Sequence, residues 1–514
     1  MRLADYLERA ASEYPTAPAV VAGEQRMDYL TLRNEVASAA AGMATMFPDG
    51  SRVAVLSSNH IRAFVAVLAI NRASAVWLPI NYRNTVATHE EQLAFFRADV
   101  LIFHSDFVDI AANLRDAVPS LKHIVCLDRR MEGIPAFDDW LELPSAPEAP
   151  IENPNDLILI LPTGGTTGPS KGIMHSHRSL ETCLLNQIIS FRIPPHSRHL
   201  IIAPMTHASG FFAFSHIPQG GCNVVLPGFD PEPVLDSIER ERITHLFLPP
   251  TAMYSLLAHP GVRDRDFSSL VSFTLGAAPT APDKFREAVE VFGPVMMEAY
   301  GQTETLLPML VKIPNDYLNA DGSFDDAVVR SAGRPGLACR VDIVDDDGNS
   351  LPPGEPGGIV VRSSSVMHGY YENPEATAEV SRFGWHHTVD IGVRDERGYI
   401  TVIDRKIDMI ISGGFNIFPV EIENVINSHE SVLDCAAIGV PDEKWGEAVK
   451  AVVELKPGAT ASEEELIALC KSQIGSVKAP KSVEFWDELP RSAVGKVLKR
   501  EIRKPFWGDS WRSV

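Results

Sequence analysis

Two short stretches combine glycine, hydroxyl and charged side chains suited to phosphates and their metal, and a third consists of small residues and a proline. The first runs Thr163, Gly164, Gly165, Thr166, Thr167, Gly168, Pro169, Ser170, Lys171 and Gly172. Its glycines let exposed amides converge on one anion, while the hydroxyls add donors and Lys171 adds positive charge. Lys171 is not part of a GKT or GKS step, so the order departs from the P-loop of NTPases. The second stretch, Tyr300, Gly301, Gln302, Thr303 and Glu304, sets an aromatic face, an amide, a hydroxyl and a carboxylate within one turn. Thr303 suits a phosphate oxygen and Glu304 suits Mg²⁺, although a Thr/Glu helix cap has the same composition. The third, Gly276, Ala277, Ala278 and Pro279, is small enough for a planar ligand to approach the backbone, and equally suits a tight turn from strand to helix. Farther on, Asp390 offers a carboxylate to vicinal hydroxyls and Arg405 offers directional donors. Lys496 follows a flexible glycine, as a reach-in cation or an exposed tail lysine would.

These residues need elements to hold them. Leu157 to Leu161 is a continuous apolar run, which predicts a strand covered on both faces and ending at the first glycine-rich stretch. Before it, β-rich runs at Val53 to Leu56, Ala75 to Leu78, Val100 to Phe103 and His123 to Leu127 alternate with helical periodicity. After it the alternation resumes with Leu200 to Ala203, Asn223 to Leu226, Thr244 to Leu248, Leu270 to Leu275 and Val295 to Ala299. Repeated βα units predict one large α/β body built on mostly parallel sheet. From about Arg340, short strands separated by Asp/Gly turns predict a mainly antiparallel part, and Pro419 marks a helix start. A domain boundary is expected near Asp404 to Asp408.

A hydrophobic content of 45% over 514 residues supports at least two cores. The net charge of -21 disfavours a nonspecific nucleic-acid surface, leaving only local basic patches for an anionic ligand. The six cysteines form no close CxxC pairs, so buried free thiols are expected rather than a zinc cluster or disulfide framework. The N-terminal stretch has no secretion-signal pattern and no apolar run reaches spanning length, so no stable membrane insertion and a cytoplasmic location are the expectations.

The stretches TGGTTGPSKG, PMTHASGF, GAAP, YGQTE, GWHHTVD, DRKID, GGFNIFPVEIE and a terminal GK occur in one order. Together they resemble the acyl-CoA synthetase branch of the adenylate-forming, AMP-binding enzyme superfamily, from the N-terminal helices to Lys496. The resemblance implies a multidomain α/β fold. Its large N-terminal ATP- and carboxylate-binding domain, residues 1–404, contains parallel-sheet subdomains and a β-rich subdomain, and a small mobile α+β C-terminal domain spans residues 405–514. It also implies a two-step reaction. Carboxylate and ATP give acyl-adenylate and pyrophosphate, and coenzyme A then takes the acyl group and releases AMP. On this resemblance Thr163, Thr166, Thr167 and Lys171, with Gly164, Gly165 and Gly168, hold the phosphates, and Thr303 and Glu304 contact the α-phosphate and Mg²⁺. Gly276 to Pro279 and Tyr300, with Gly301 and Gln302, form the adenine wall, and Asp390 and Arg405 hold the ribose. Lys496 bridges the attacking carboxylate and the phosphate. Gly413, Gly414, Trp445 and Gly446 lie toward coenzyme A, and His207 stands where acyl pocket and thiol tunnel meet.

The sequence departs from the family pattern at Ser170, usually proline, at Val389, usually glycine, and at Ile407, often a charged hinge residue. Phe211, Phe212 and Phe214 after His207 favour an apolar acid over a dicarboxylate, or else pack in the core. A medium- or long-chain fatty acid is placed first. An aromatic acid-CoA ligase, an adenylating enzyme that serves a carrier protein and a non-catalytic acyl-adenylate sensor are the alternatives. A homodimer is left open.

Overall fold

The computed structural model describes residues 1–145, 153–163, 171–205, 208–405, 408–412, 415–442, 445–491 and 497–507. Gly164, Gly165, Thr166, Thr167, Gly168, His207, Gly413, Gly414 and Lys496 therefore lie outside the described residues, as do Ser170 and Ile407, while Thr163 and Arg405 are described by backbone alone. The chain forms two compact units, one of Met1–Thr163, Ser170–Val341 and Val361–His386, the other including Asp342–Val360 and His387–Val514.

Alternating βα units produce two sheets within one compact unit, in keeping with one α/β body that contains parallel-sheet subdomains. The nine-stranded sheet runs Arg334–Pro335, Leu310–Lys312, Met296–Tyr300, Ser272–Leu275, His245–Leu248, Arg198–Ile201, Cys222–Val225, Pro18–Ala22 and Gln25–Asp28. Its central pairs are parallel, for example Leu275 beside Glu298 and Leu248 beside Leu275. The seven-stranded sheet runs Gly369–Tyr370, Lys171–Ser176, Leu157–Thr163, Val76–Pro79, Arg52–Leu56, Val100–Phe103 and His123–Cys126. Ile158 to Leu161 are buried, as a strand covered on both faces requires. Its antiparallel partner Lys171–Ser176 has too short an apolar pattern to predict. Gly172 on that strand is needed because a Cβ there would collide with Phe96 and meet Ile160 Cγ2 at 2.8 Å.

In the second unit, Trp385–Arg394 pairs antiparallel with Ile400–Arg405, and Val432–Asp442 with Gly446–Leu455, matching the predicted change of texture. Pro419 begins the helix Pro419–Asn427. The strand Ile400–Arg405 ends within the stretch Asp404 to Asp408 where a boundary is expected. All six cysteines are free and five are buried, Cys339 being half-buried.

Three histidines share the core of the nine-stranded sheet. The His199 and His216 rings stack with centroids 4.7 Å apart, and His245 meets His216 edge-on at 5.1 Å. Burial, reinforced by the neighbouring imidazoles, lowers His199 to about 3 and His216 well below its ordinary value, and burial lowers His245 to about 4. Because these folded values lie below the ordinary 6.5, the unfolded chain binds more protons between the two. The stability these neutral rings permit is present above pH 6.5 and is lost as pH falls toward 4, at about 1.4 kcal/mol per pH unit for each group. Thermal melts across that range are expected to show a falling midpoint, with a shallower fall in His199→Gln.

Candidate active site

The phosphate-loop candidate is framed by a hairpin. Thr163 and Lys171 are Cα partners across it, as are Pro162 and Gly172, so the two ends of the glycine-rich stretch stand side by side. The other two nucleotide candidates sit at the carboxyl ends of adjacent parallel strands. Gly276 to Pro279 follow Ser272–Leu275, and Tyr300 to Glu304 close and follow Met296–Tyr300, with Leu275 beside Glu298. The carboxyl edge of an open α/β sheet is where such folds take ligands. A Cβ on Gly276 would come within 2.9 Å of Phe247 and 3.0 Å of the Ala299 carbonyl, and Ala277 adopts a left-handed φ of 69°. The small residues are therefore required by close backbone approach. The Thr305 amide donates to the Gln302 carbonyl at 3.1 Å, making a turn rather than a helix start over this segment.

Two residues that sequence reasoning missed hold Thr303 and Glu304 in place. His175 Nε2–H donates to the Thr303 carbonyl at 2.7 Å, and burial lowers this imidazole to about 4, keeping it neutral. The Tyr370 hydroxyl donates to Glu304 Oε1 at 3.0 Å, and the Met367 amide donates to the Glu304 carbonyl at 2.7 Å. Lys171 Nζ lies 4.8 Å from the centroid of the same Tyr370 ring. No local spacing signals these links, because the partners come from distant parts of the chain.

Among the described residues no group of three or more His, Cys, Asp or Glu side chains is arranged to hold a metal. A Mg²⁺ ion that arrives with phosphates keeps most of its ligands from water and phosphate oxygens and needs only one or two protein carboxylates. Glu304, with one oxygen oriented by Tyr370, fits that requirement.

In the second unit Asp390 and Arg405 are Cα partners across an antiparallel hairpin, so the backbones of two residues well apart in sequence stand side by side. Asp390 is buried, and its amide donates to the Thr388 hydroxyl oxygen at 3.2 Å, while that hydroxyl donates to the Ile359 carbonyl at 2.9 Å. Val389 keeps the left-handed conformation a glycine would adopt, with φ of 65°. That conformation costs a β-branched residue on the order of 1–3 kcal/mol, so the turn that presents Asp390 is strained. Ser412 is the Cα partner of Gly446, which places the residue before Gly413 beside the half-exposed Trp445 and Gly446. Gly446 has a φ of 78°, and the Trp445 amide donates to Asp442 Oδ1 at 2.9 Å. Lys496 immediately precedes Val497, which is bridged to Arg491, itself held by Asp434 and Glu454 at 2.8 and 3.1 Å.

The phenylalanines after His207 lie on the helix Ala208–His216 and are buried. Phe211 and Phe214 pack 6.2 Å from the Trp77 ring, and Phe212 stacks on Phe247 at 4.5 Å and on Phe191 at 5.2 Å. No helix among the described residues is long and apolar enough to cross a membrane.

Comparison with known proteins agrees with this arrangement. Residues 7–371 match the AMP-binding enzyme family and residues 421–496 match the AMP-binding enzyme C-terminal domain. The chain is 36% identical to a feruloyl-CoA synthase of Amycolatopsis sp over 97% of its own length and 98% of the relative's. It is 34% identical to the medium/long-chain-fatty-acid–CoA ligase FadD8 of Mycobacterium tuberculosis, covering 90% of this chain and 87% of that one. Among solved structures, the amide bond synthetase McbA from Marinactinospora thermotolerans superposes with a TM-score of 0.88 at 30% identity, over 98% of this chain and 100% of that one. With both family models matched and relatives at least 30% identical along nearly the whole chain, the protein belongs to the AMP-binding enzyme family, in its acyl-CoA synthetase branch, and is an AMP-forming carboxylate–CoA ligase.

Proposed function

We propose that the carboxylate is an aromatic acid bearing an oxygen on its ring and that the acceptor is free coenzyme A. The observation that carries this reading is Trp77. Its ring packs with Phe211 and Phe214, yet its buried indole N–H has no hydrogen-bond partner among the described residues. A flat apolar surround with one unpaired donor suits an aryl group with an acceptor atom, since a methylene chain would leave the donor unsatisfied. The similarity to feruloyl-CoA synthases supports the same class. The fatty-acid reading, supported by the similarity to FadD8, is the competitor.

The chemistry follows from the residues in hand. The carboxylate oxygen attacks the α-phosphorus of ATP, and pyrophosphate leaves. Negative charge accumulates there, so fixed donors and cations at Thr303, Lys171 and Lys496 stabilise the transition state. When bound, Mg²⁺ would neutralise phosphate charge, with Glu304 as its protein ligand. The thiol sulfur of coenzyme A then attacks the acyl carbonyl and AMP leaves, a step assigned to Gly413 and Gly414 together with Trp445 and Gly446. His207 acts as a gate on the acyl side.

Trp77→Phe tests the substrate assignment. The wild type is expected to favour a ring-oxygenated cinnamic acid over the unsubstituted one by at least tenfold in kcat/KM, and the variant should lose that preference while keeping activity on the plain acid. A preference unchanged by the substitution contradicts the role of the indole. Efficiency that instead rises about fourfold per added CH₂ along a saturated fatty-acid series returns the assignment to a fatty acid.

A further inference from the structure

We infer that Tyr370 is a positioning residue that couples the metal-side carboxylate to the phosphate-side cation, an inference that rests on the roles proposed above for Glu304 and Lys171. Three contacts converge on this side chain. Its hydroxyl donates to Glu304 Oε1 at 3.0 Å, its ring face lies 4.8 Å from Lys171 Nζ, and the residue is buried. A hydrogen bond to an ionised carboxylate is roughly twice as strong as a neutral one, and it fixes which oxygen of Glu304 is left to face a cation. The ring's negative face attracts the Lys171 ammonium, holding a long flexible chain that would otherwise sample many rotamers.

The backbone locks Tyr370 in turn. The strand Gly369–Tyr370 pairs with Met174 and Ile173, on the same strand that begins at Lys171, so the tyrosine is registered against the root of the lysine it holds. The Tyr370 amide donates to the Thr377 hydroxyl oxygen at 2.9 Å. Gly369, at a φ of 147°, lets that approach occur, since a Cβ there would lie 2.9 Å from Thr377 Cγ2. His175, farther along the strand, holds the Thr303 carbonyl from its own side. One strand therefore sets both neighbours of the reacting phosphate, and Tyr370 is the link that makes Lys171 and Glu304 move together.

The hydroxyl and the ring make separable contributions, so two substitutions divide them. Tyr370→Phe keeps the ring beside Lys171 and removes the hydrogen bond to Glu304. Titration calorimetry of the full chain is expected to show ATP binding unchanged without Mg²⁺, but the gain in affinity on adding Mg²⁺ reduced by about tenfold. The Mg²⁺ concentration for half-maximal adenylation should rise correspondingly, with capture of supplied acyl-adenylate by coenzyme A unchanged. Tyr370→Leu removes the ring as well and should weaken Mg²⁺-free ATP binding in addition. Melting curves identify any variant that has merely unfolded, and Tyr370→Phe, differing by one oxygen, is the decisive one. A Tyr370→Phe protein with the wild-type Mg²⁺ gain in ATP affinity overturns the inference if Glu304→Gln loses that gain. If Glu304→Gln also keeps the gain, the proposed role of Glu304 fails and the inference falls with it.

Discussion

Lys496→Ala is expected to lower acyl-adenylate formation by about 10²- to 10³-fold while leaving the conversion of supplied acyl-adenylate to the CoA thioester within a few-fold of the wild type. The asymmetry follows from where charge develops. In the first half-reaction a carboxylate approaches an already anionic phosphate, so a cation shared between them is worth most in the transition state and far less before it. In the second half-reaction the nucleophile is a thiol, the electrophile is an acyl carbon, and this bridging charge has no comparable task. Lys496 follows Gly495, and the ends of its segment are anchored by the Arg491 to Val497 bridge, so removing one side chain leaves that anchorage in place. Pyrophosphate release and thioester formation, assayed separately, check the expectation. Equal losses in both would remove Lys496 from the adenylation step.

Gly414→Leu is expected to produce the reverse pattern, near-normal adenylation with thioester formation reduced by about 100-fold. Ser412, two residues earlier, is paired with Gly446 beside the half-exposed Trp445, so the two sequence stretches assigned to coenzyme A meet at one sheet edge. On the role proposed for Gly414, a thiol on a narrow pantetheine arm passes beside this glycine, and an isobutyl group would obstruct it. The loss should appear as slow consumption of supplied acyl-adenylate at saturating coenzyme A. A variant that consumes it at the wild-type rate would take Gly414 out of the thiol path.

Local pattern made much of this fold legible. The strand Val100–Phe103 has the bounds that its apolar run predicts, because it is a self-contained run of buried positions. The pairing of such runs is another matter. Pro18–Ala22 joins the nine-stranded sheet by pairing with Cys222–Val225, and nothing in either short segment specifies so distant a partner. The division of one α/β body into a nine-stranded and a seven-stranded sheet is set by such distant pairings. The candidate site divides along similar lines. Glycines, hydroxyls and carboxylates announce themselves by type, so Thr303, Glu304, Asp390 and Lys171 stand out. Tyr370 and His175 act through contacts made only on folding, and their types alone carry no such signal. Val389 is intermediate: the sequence shows that glycine is missing, while only the backbone shows that valine accepts the glycine conformation.

The central claim is that this chain links an aromatic acid to coenzyme A through its adenylate, and a single competition tests it. The enzyme is given equal concentrations of an oxygenated cinnamic acid and a series of saturated fatty acids with ATP, Mg²⁺ and coenzyme A, and the products are resolved by mass. The aryl-CoA thioester is expected as the dominant early product, with AMP and pyrophosphate formed in equal amounts to it. Predominance of a fatty acyl-CoA, or accumulation of adenylate without any CoA thioester, would contradict it.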